Sequence, residues 1–127
     1  MTTNGGDHDA VQILSAEGNG KFSAIGRIQL PEDATQIELG DIDKDGDLDI
    51  VAIAKDSQAI YTSLNNGNAV FGSVSSVPLP GKPVAFAIGD INNDSLVDLI
   101  VTCSDNSKNL SVLLNTGDGN FGNANNI

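Results

Sequence analysis

Tryptophan is absent from this chain, and cysteine, histidine and tyrosine occur once each, at Cys103, His8 and Tyr61. One cysteine excludes an intrachain disulfide. Its place in the apolar run DLIVTC marks it as a small buried hydrophobe rather than a catalytic thiol. The only histidine lies in a polar N-terminal segment, so no thiol–imidazole pair and no Ser–His–Asp order can be assembled around it. A CxxC pair is lacking, as is a glycine loop feeding a helix. Catalysis by this chain is therefore not expected. Basic residues are also few: six against 17 acidic ones, a formal net charge of -11. A nucleic-acid backbone or an anionic membrane face needs a basic stripe, and none is present. No apolar run approaches the roughly 18 residues of a membrane span, and MTTNGGDHDA has neither the basic start nor the apolar centre of a secretory signal. Membrane insertion is not expected.

Helical periodicity is missing as well. What replaces it from Ala10 onward is a series of short runs: AVQILSA, IGRIQL, TQIELG, DIVAIA, AIYTSL, SVSSVPL, VAFAIG, DLIVTC and LSVLLN. Clusters of Gly, Asn, Asp, Ser and Pro separate them at intervals of roughly 8–12 residues, the signature of an all-β chain. At 127 residues the chain has length for one ordinary domain with a real core.

The runs repeat. Phe22, Phe71 and Phe121 stand 49 and 50 residues apart, each closing a Gly/Asn-rich turn in EGNGKF, NNGNAVF and TGDGNF. VQILSAEG, IYTSLNNG and LSVLLNTG align before them, and Pro31 aligns with Pro80. A period near 49 holding four strands fits a β-propeller blade of four antiparallel strands. With strands lettered A to D from the axis outward, residues 10–31 supply C–D of one blade and 32–80 a complete blade. Residues 81–127 supply a blade lacking most of its last strand, and 1–9 read as a flexible tail. A propeller closes with at least about four blades, and roughly two and a half are counted here. The expectation is thus a part of a longer protein, or a short chain that completes its ring by self-association.

The strongest local signal is acidic. GDIDKDGDLDIVAIAKD begins at Gly40, and GDINNDSLVDLIVTCSD follows 49 residues later at Gly89. Asp41, Asp43, Asp45 and Asp49 occupy loop positions 1, 3, 5 and 9, and Asp47 at position 7 offers its backbone carbonyl. In the second copy Asp90, Asn92, Asp94 and Asp98 hold positions 1, 3, 5 and 9, with Leu96 giving the carbonyl at position 7. Alternate residues of a tight loop converge on one point, and an oxygen-only set with several anions suits Ca2+. The lack of His or Cys among them argues against zinc. Gly46 permits the sharp turn in the first copy, whereas Ser95 strains it in the second and one carboxylate becomes an amide. Two calcium sites are expected, the first tighter. The plainer alternative is a pair of acidic turns closed by Asx-type hydrogen bonds without a metal. An EF-hand is excluded, because position 12 is Ala52 or Val101 where a bidentate acid is required, and strand-like runs follow where a helix is needed.

With these residues in view, the chain resembles the integrin-like FG-GAP repeat, also described as the VCBS-type repeat. That pattern runs from an FG pair through a strand into G-D-x-[ND]-x-D-G-x-x-D-[LI]. Phe71–Gly72, Val84–Ile88 and Gly89–Ile100 match it, with Ser95 in place of the glycine. The previous copy runs from Phe22, where Ser23 departs from the FG pair, through Gly40 to Ile50, and Phe121–Gly122 open a third. The resemblance implies blades of a seven-bladed propeller with calcium between the first two strands, in proteins displayed outside the cell. It implies the ligands Asp41, Asp43, Asp45, Asp47 and Asp49 in one blade and Asp90, Asn92, Asp94, Leu96 and Asp98 in the next.

The function expected is a calcium-stabilised binding or adhesion module for a protein or glycan ligand, extracellular or at the cell surface. The alternatives are a lectin proper, a unit that assembles a propeller from short chains, and a non-catalytic scaffold domain of a larger enzyme.

Overall fold

Apolar runs of six or seven residues, stopped by Gly, Asn and Asp, are too short for helices and bury themselves as strands. A computed structural model describes residues 2–3, 10–54, 56–104 and 110–126. Among these residues there is no helix, and every strand pairing is antiparallel. Three sheets follow one another along the chain. The first holds β1 (Thr2–Thr3), β2 (Ala10–Gly18) and β3 (Lys21–Gln29), in that order. The second holds β4 (Ala34–Gly40), β5 (Asp49–Ala54), β6 (Ala59–Ser63) and β7 (Ser75–Pro78). The third holds β8 (Pro83–Gly89), β9 (Asp98–Cys103), β10 (Leu110–Leu113) and β11 (Asn125–Asn126). Of the tail expected at 1–9, Thr2 and Thr3 pair with Gln12 and Val11, and residues 1 and 4–9 lie outside the described residues.

Each four-stranded sheet is an up-and-down meander, the form of a propeller blade. The first hairpin turns at Asn19 and Gly20, both left-handed (φ 57 and 73), which is the type I′ turn that an Asn-Gly pair favours. The corresponding turns of the later sheets are wider and are closed by the isolated bridges Asn65↔Phe71 and Asn115↔Phe121.

The sheets stack face to face, and β5 explains why its sequence does not alternate. All six of its residues are buried. Val51 and Ile53 pack with Phe86, Leu99 and Val101 of the third sheet, while Ile50, Ala52 and Ala54 pack with Val11, Ile13 and Ile28 of the first. Both faces of a covered strand must be apolar, and each fully buried Val or Ile contributes about 1.5–3 kcal/mol. In β9, by contrast, Leu99, Val101 and Cys103 face the second sheet while Thr102 is exposed. Two links join the inner strands of the second and third sheets. The side-chain amide of Gln36 donates to the carbonyl of Phe86 (2.7 Å) and accepts from its N–H (3.1 Å). Gly40 is the other: a Cβ there would sit 2.9 Å from Cδ1 of Ile88.

Candidate metal centre

The two acidic loops join β4 to β5 and β8 to β9, the inner hairpin of each four-stranded sheet. Their tight coil needs two left-handed residues. In the first loop these are Lys44 (φ 68) and Gly46 (φ 96), in the second Asn93 (φ 65) and Ser95 (φ 68). Glycine and asparagine accept this region readily, whereas other residues cost about 1–2 kcal/mol there. Each loop therefore carries one strained residue, at Lys44 or at Ser95. The strain at Ser95 follows from the missing glycine; that at Lys44 is visible only in the backbone.

Side-chain oxygens close each coil on its own backbone. Asp41 accepts from the N–H groups of Asp45 (3.1 Å) and Gly46 (3.0 Å). Asp90 does the same for Asp94 (3.1 Å) and Ser95 (2.8 Å). Asp45 accepts from the N–H of Asp47 and Asp94 from that of Leu96, both at 2.9 Å. Asn92 donates through its amide to Asp94 (2.9 Å).

The position-9 aspartates are the keystones. Asp49 and Asp98 are fully buried. One oxygen of Asp49 accepts from the N–H of Ile42 within the loop, the other from the N–H of Asn65 at the end of β6, both at 2.8 Å. Asp98 repeats this with Ile91 and Asn115, both at 2.9 Å. Each loop is thus tied to the turn that follows the third strand of its sheet.

Carboxylate oxygens of Asp41, Asp43 and Asp49 lie within 4.8 Å of one another, as do those of Asp90, Asp94 and Asp98. Asn92 lies inside the second loop, bonded to Asp94. Asp45 is exposed, and the side chain of Asp47 lies over the next turn, its Oδ2 3.1 Å from where a Cβ of Gly67 would stand. Asp47 thus stands outside the carboxylate cluster of its loop, and Leu96 at the same position has no side-chain oxygen. Like charges this close repel by about 3 kcal/mol per pair at an effective dielectric near 20. Burial pushes the carboxyl of Asp49 above its ordinary value, and Asp45 and Asp41 add to the rise, against the two N–H groups it accepts from. Asp43 is raised by the same causes, burial first, with Asp49 and Asp45 adding. A hard divalent cation would relieve this charge, and the donor set, oxygen throughout, fits one.

Asn65 and Asn115 belong to the site without having been singled out in the sequence. The amide of Asn65 donates to the carbonyl of Leu48 (3.2 Å), and that of Asn115 to Val97 (3.0 Å). The signal available was the asparagine shared by LNNG and LNTG, for which the first hairpin has Ala16.

Stacked antiparallel sheets of four strands, each with an acidic loop between its first two, define a β-propeller-like repeat module. The model of the FG-GAP-like repeat matches residues 2–52 and again 41–101, and the chain belongs to that family. The second match spans both acidic loops. Comparison with curated proteins finds none that matches.

Proposed function

We propose that the chain is a calcium-stabilised propeller-type module that binds a protein ligand, with Ca2+ held structurally in the two inner hairpin loops. The observation that carries this reading is the convergence of three carboxylates in each loop, one of them fully buried, at the same place in two sheets. Asp41, Asp43, Asp45 and Asp49 would hold the first ion with the carbonyl of Asp47. Asp90, Asn92, Asp94 and Asp98 would hold the second with the carbonyl of Leu96. The first set has one more carboxylate and Gly46, so it binds more tightly. A bound ion would fix β4 against β5 and β8 against β9 and stabilise the fold by linkage. Sites this exposed suit the high calcium outside cells, where modules with dissociation constants near 10⁻⁴–10⁻³ M are filled. That supports an extracellular or cell-surface setting. Catalysis is not proposed, since the acidic residues are accounted for by the ion.

Among possible ligands a protein is favoured over a glycan. Sugar sites rely on aromatic stacking, and Tyr61 and Phe86 are buried while Phe71 and Phe121 are half-buried, leaving Phe22 as the exposed ring among the described residues. A glycan array in calcium tests this: no binding is expected, and saturable binding of one sugar class would restore the lectin reading. The outer face of the third sheet supports a further association, with another blade of a longer protein or of a second copy. Calcium titration followed by thermal melting tests the central reading, with a rise of the midpoint expected and an unchanged midpoint contradicting it.

A further inference from the structure

The third sheet packs against the first acidic loop, and one of its residues hydrogen-bonds to that loop. Asn115 is buried, and its amide nitrogen donates both to the carbonyl of Val97 in its own loop (3.0 Å) and to the carbonyl of Ile42 in the other loop (2.7 Å). Its backbone N–H donates to Asp98 (2.9 Å), and the N–H of Ile42 donates to Asp49 (2.8 Å). A continuous path of hydrogen bonds therefore runs Asp49–Ile42–Asn115–Asp98, from the buried carboxylate of one loop to that of the next. The turn that Asn115 opens also lies against the first loop: a Cβ on Gly119 would stand 3.5 Å from Cβ of Asp43.

We infer that Asn115 couples the two calcium loops, so that an ion in one raises the affinity of the other. This rests on the calcium reading above. The physical basis is that Ile42 lies between Asp41 and Asp43 and Val97 adjoins Asp98, so an ion that holds these aspartates would also hold the two carbonyls that Asn115 bonds. One amide bonded to both carbonyls is satisfied only when both segments are in place, and a buried amide or carbonyl left without a partner is costly. Ordering one loop sets the donor for the other, which is positive coupling, and it must be reciprocal. Asn65, the counterpart of Asn115, serves Leu48 and Asp49 within its own sheet.

Calorimetric titration of the full chain with calcium chloride tests it. Asp43→Ala removes the position-3 oxygens outright and disables the first loop, and the affinity of the second loop is then expected to fall about five-fold, the size of one shared hydrogen bond. In Asn115→Ala, Asp43→Ala should leave the second loop unchanged, closing a double-mutant cycle. Should Asn115→Ala fail to fold, nitrogen–proton spectra of the native residue decide. Loading the second loop alone, in Asp43→Ala, should shift the Asn115 side-chain amide and the Ile42 backbone amide together. Equal affinity of the second loop with and without Asp43→Ala, or an Ile42 amide that does not respond, overturns the coupling while leaving calcium binding intact. No heat of calcium binding at either loop overturns the calcium reading, and the coupling with it.

Discussion

Ile42 and Ile91 hold the same position in successive loops, yet Ile42 is fully buried beneath the third sheet while Ile91 is 42% exposed. The difference is one of neighbours, because the loops share their backbone bonds to Asp49 and Asp98. Val51 and Ile53 are covered in the same way, whereas Thr102 stands open and Ala85, Ala87 and Ile100 line a surface cavity of about 220 Å³. The outer face of the third sheet repeats a face that the second sheet buries.

Gly40 and Gly89 turn this into a measurement. A Cβ at Gly40 meets Ile88 at 2.9 Å, whereas one at Gly89 meets nothing within 4 Å. Gly40→Ala is expected to destabilise the chain by about 1–3 kcal/mol through overpacking, and Gly89→Ala to stay within about 0.5 kcal/mol. Denaturant unfolding compares them. A clear loss in Gly89→Ala would mean that another blade or a second copy covers this face in solution.

Asp49 and Asp98 are expected to be the least replaceable residues of the loops even without calcium. Asp49→Ala strips the acceptors from Ile42 and Asn65, and a buried N–H left unpaired costs about 1–3 kcal/mol each. Asp45→Ala, which frees one exposed N–H, should cost less than about 1 kcal/mol. Chemical denaturation in a chelator ranks the two, and equal losses would contradict the keystone role of position 9.

Ser95 sits at φ 68 where its counterpart is Gly46. Ser95→Gly should relieve about 1 kcal/mol of backbone strain, partly offset by the greater freedom of glycine in the unfolded chain. A small rise in the melting midpoint and tighter calcium binding at the second loop are expected. Gly46→Ala should do the reverse at the first.

Much of this was legible in the sequence. The short runs, their stops and the 49-residue echo defined an all-β chain of four-stranded sheets, and the strand that follows position 9 excluded an EF-hand. DIVAIA shows what was not legible. Its unbroken apolar character signals burial on both faces, but which sheets cover it depends on contacts far apart in sequence. Asn65 and Asn115 escaped notice because an asparagine before a glycine reads as turn chemistry, and their bonds to Leu48, Val97 and Ile42 span distant residues. The strain at Lys44 was hidden for a similar reason, since nothing in the letter K signals a left-handed backbone.

Asp43 and Asp49 give the loops a pH dependence whose sign depends on the cation. Their carboxyls lie above the ordinary 3.8, chiefly through burial. A group raised in the folded state binds its proton more tightly there than in the unfolded chain. Its contribution to stability is fully present below 3.8 and is lost as pH rises through the raised value. In a chelator, the part of the stability these two groups govern should therefore grow as pH falls from 7 toward 4. In calcium the trend should reverse, because protons compete with the ion for the same oxygens. Melting curves at pH 7 and pH 5 in both conditions check it, and the same sign in both would contradict it.

The most direct measurement is the melting midpoint of the full chain across a calcium titration, with magnesium and chelator as references. At calcium 100 times the dissociation constant, one site adds about 2.7 kcal/mol, so a rise of several degrees is expected. Chelator should reverse it, magnesium should give little, and Asp43→Ala combined with Asp94→Ala should abolish most of it. A midpoint indifferent to calcium and chelator alike would contradict a structural calcium in these loops.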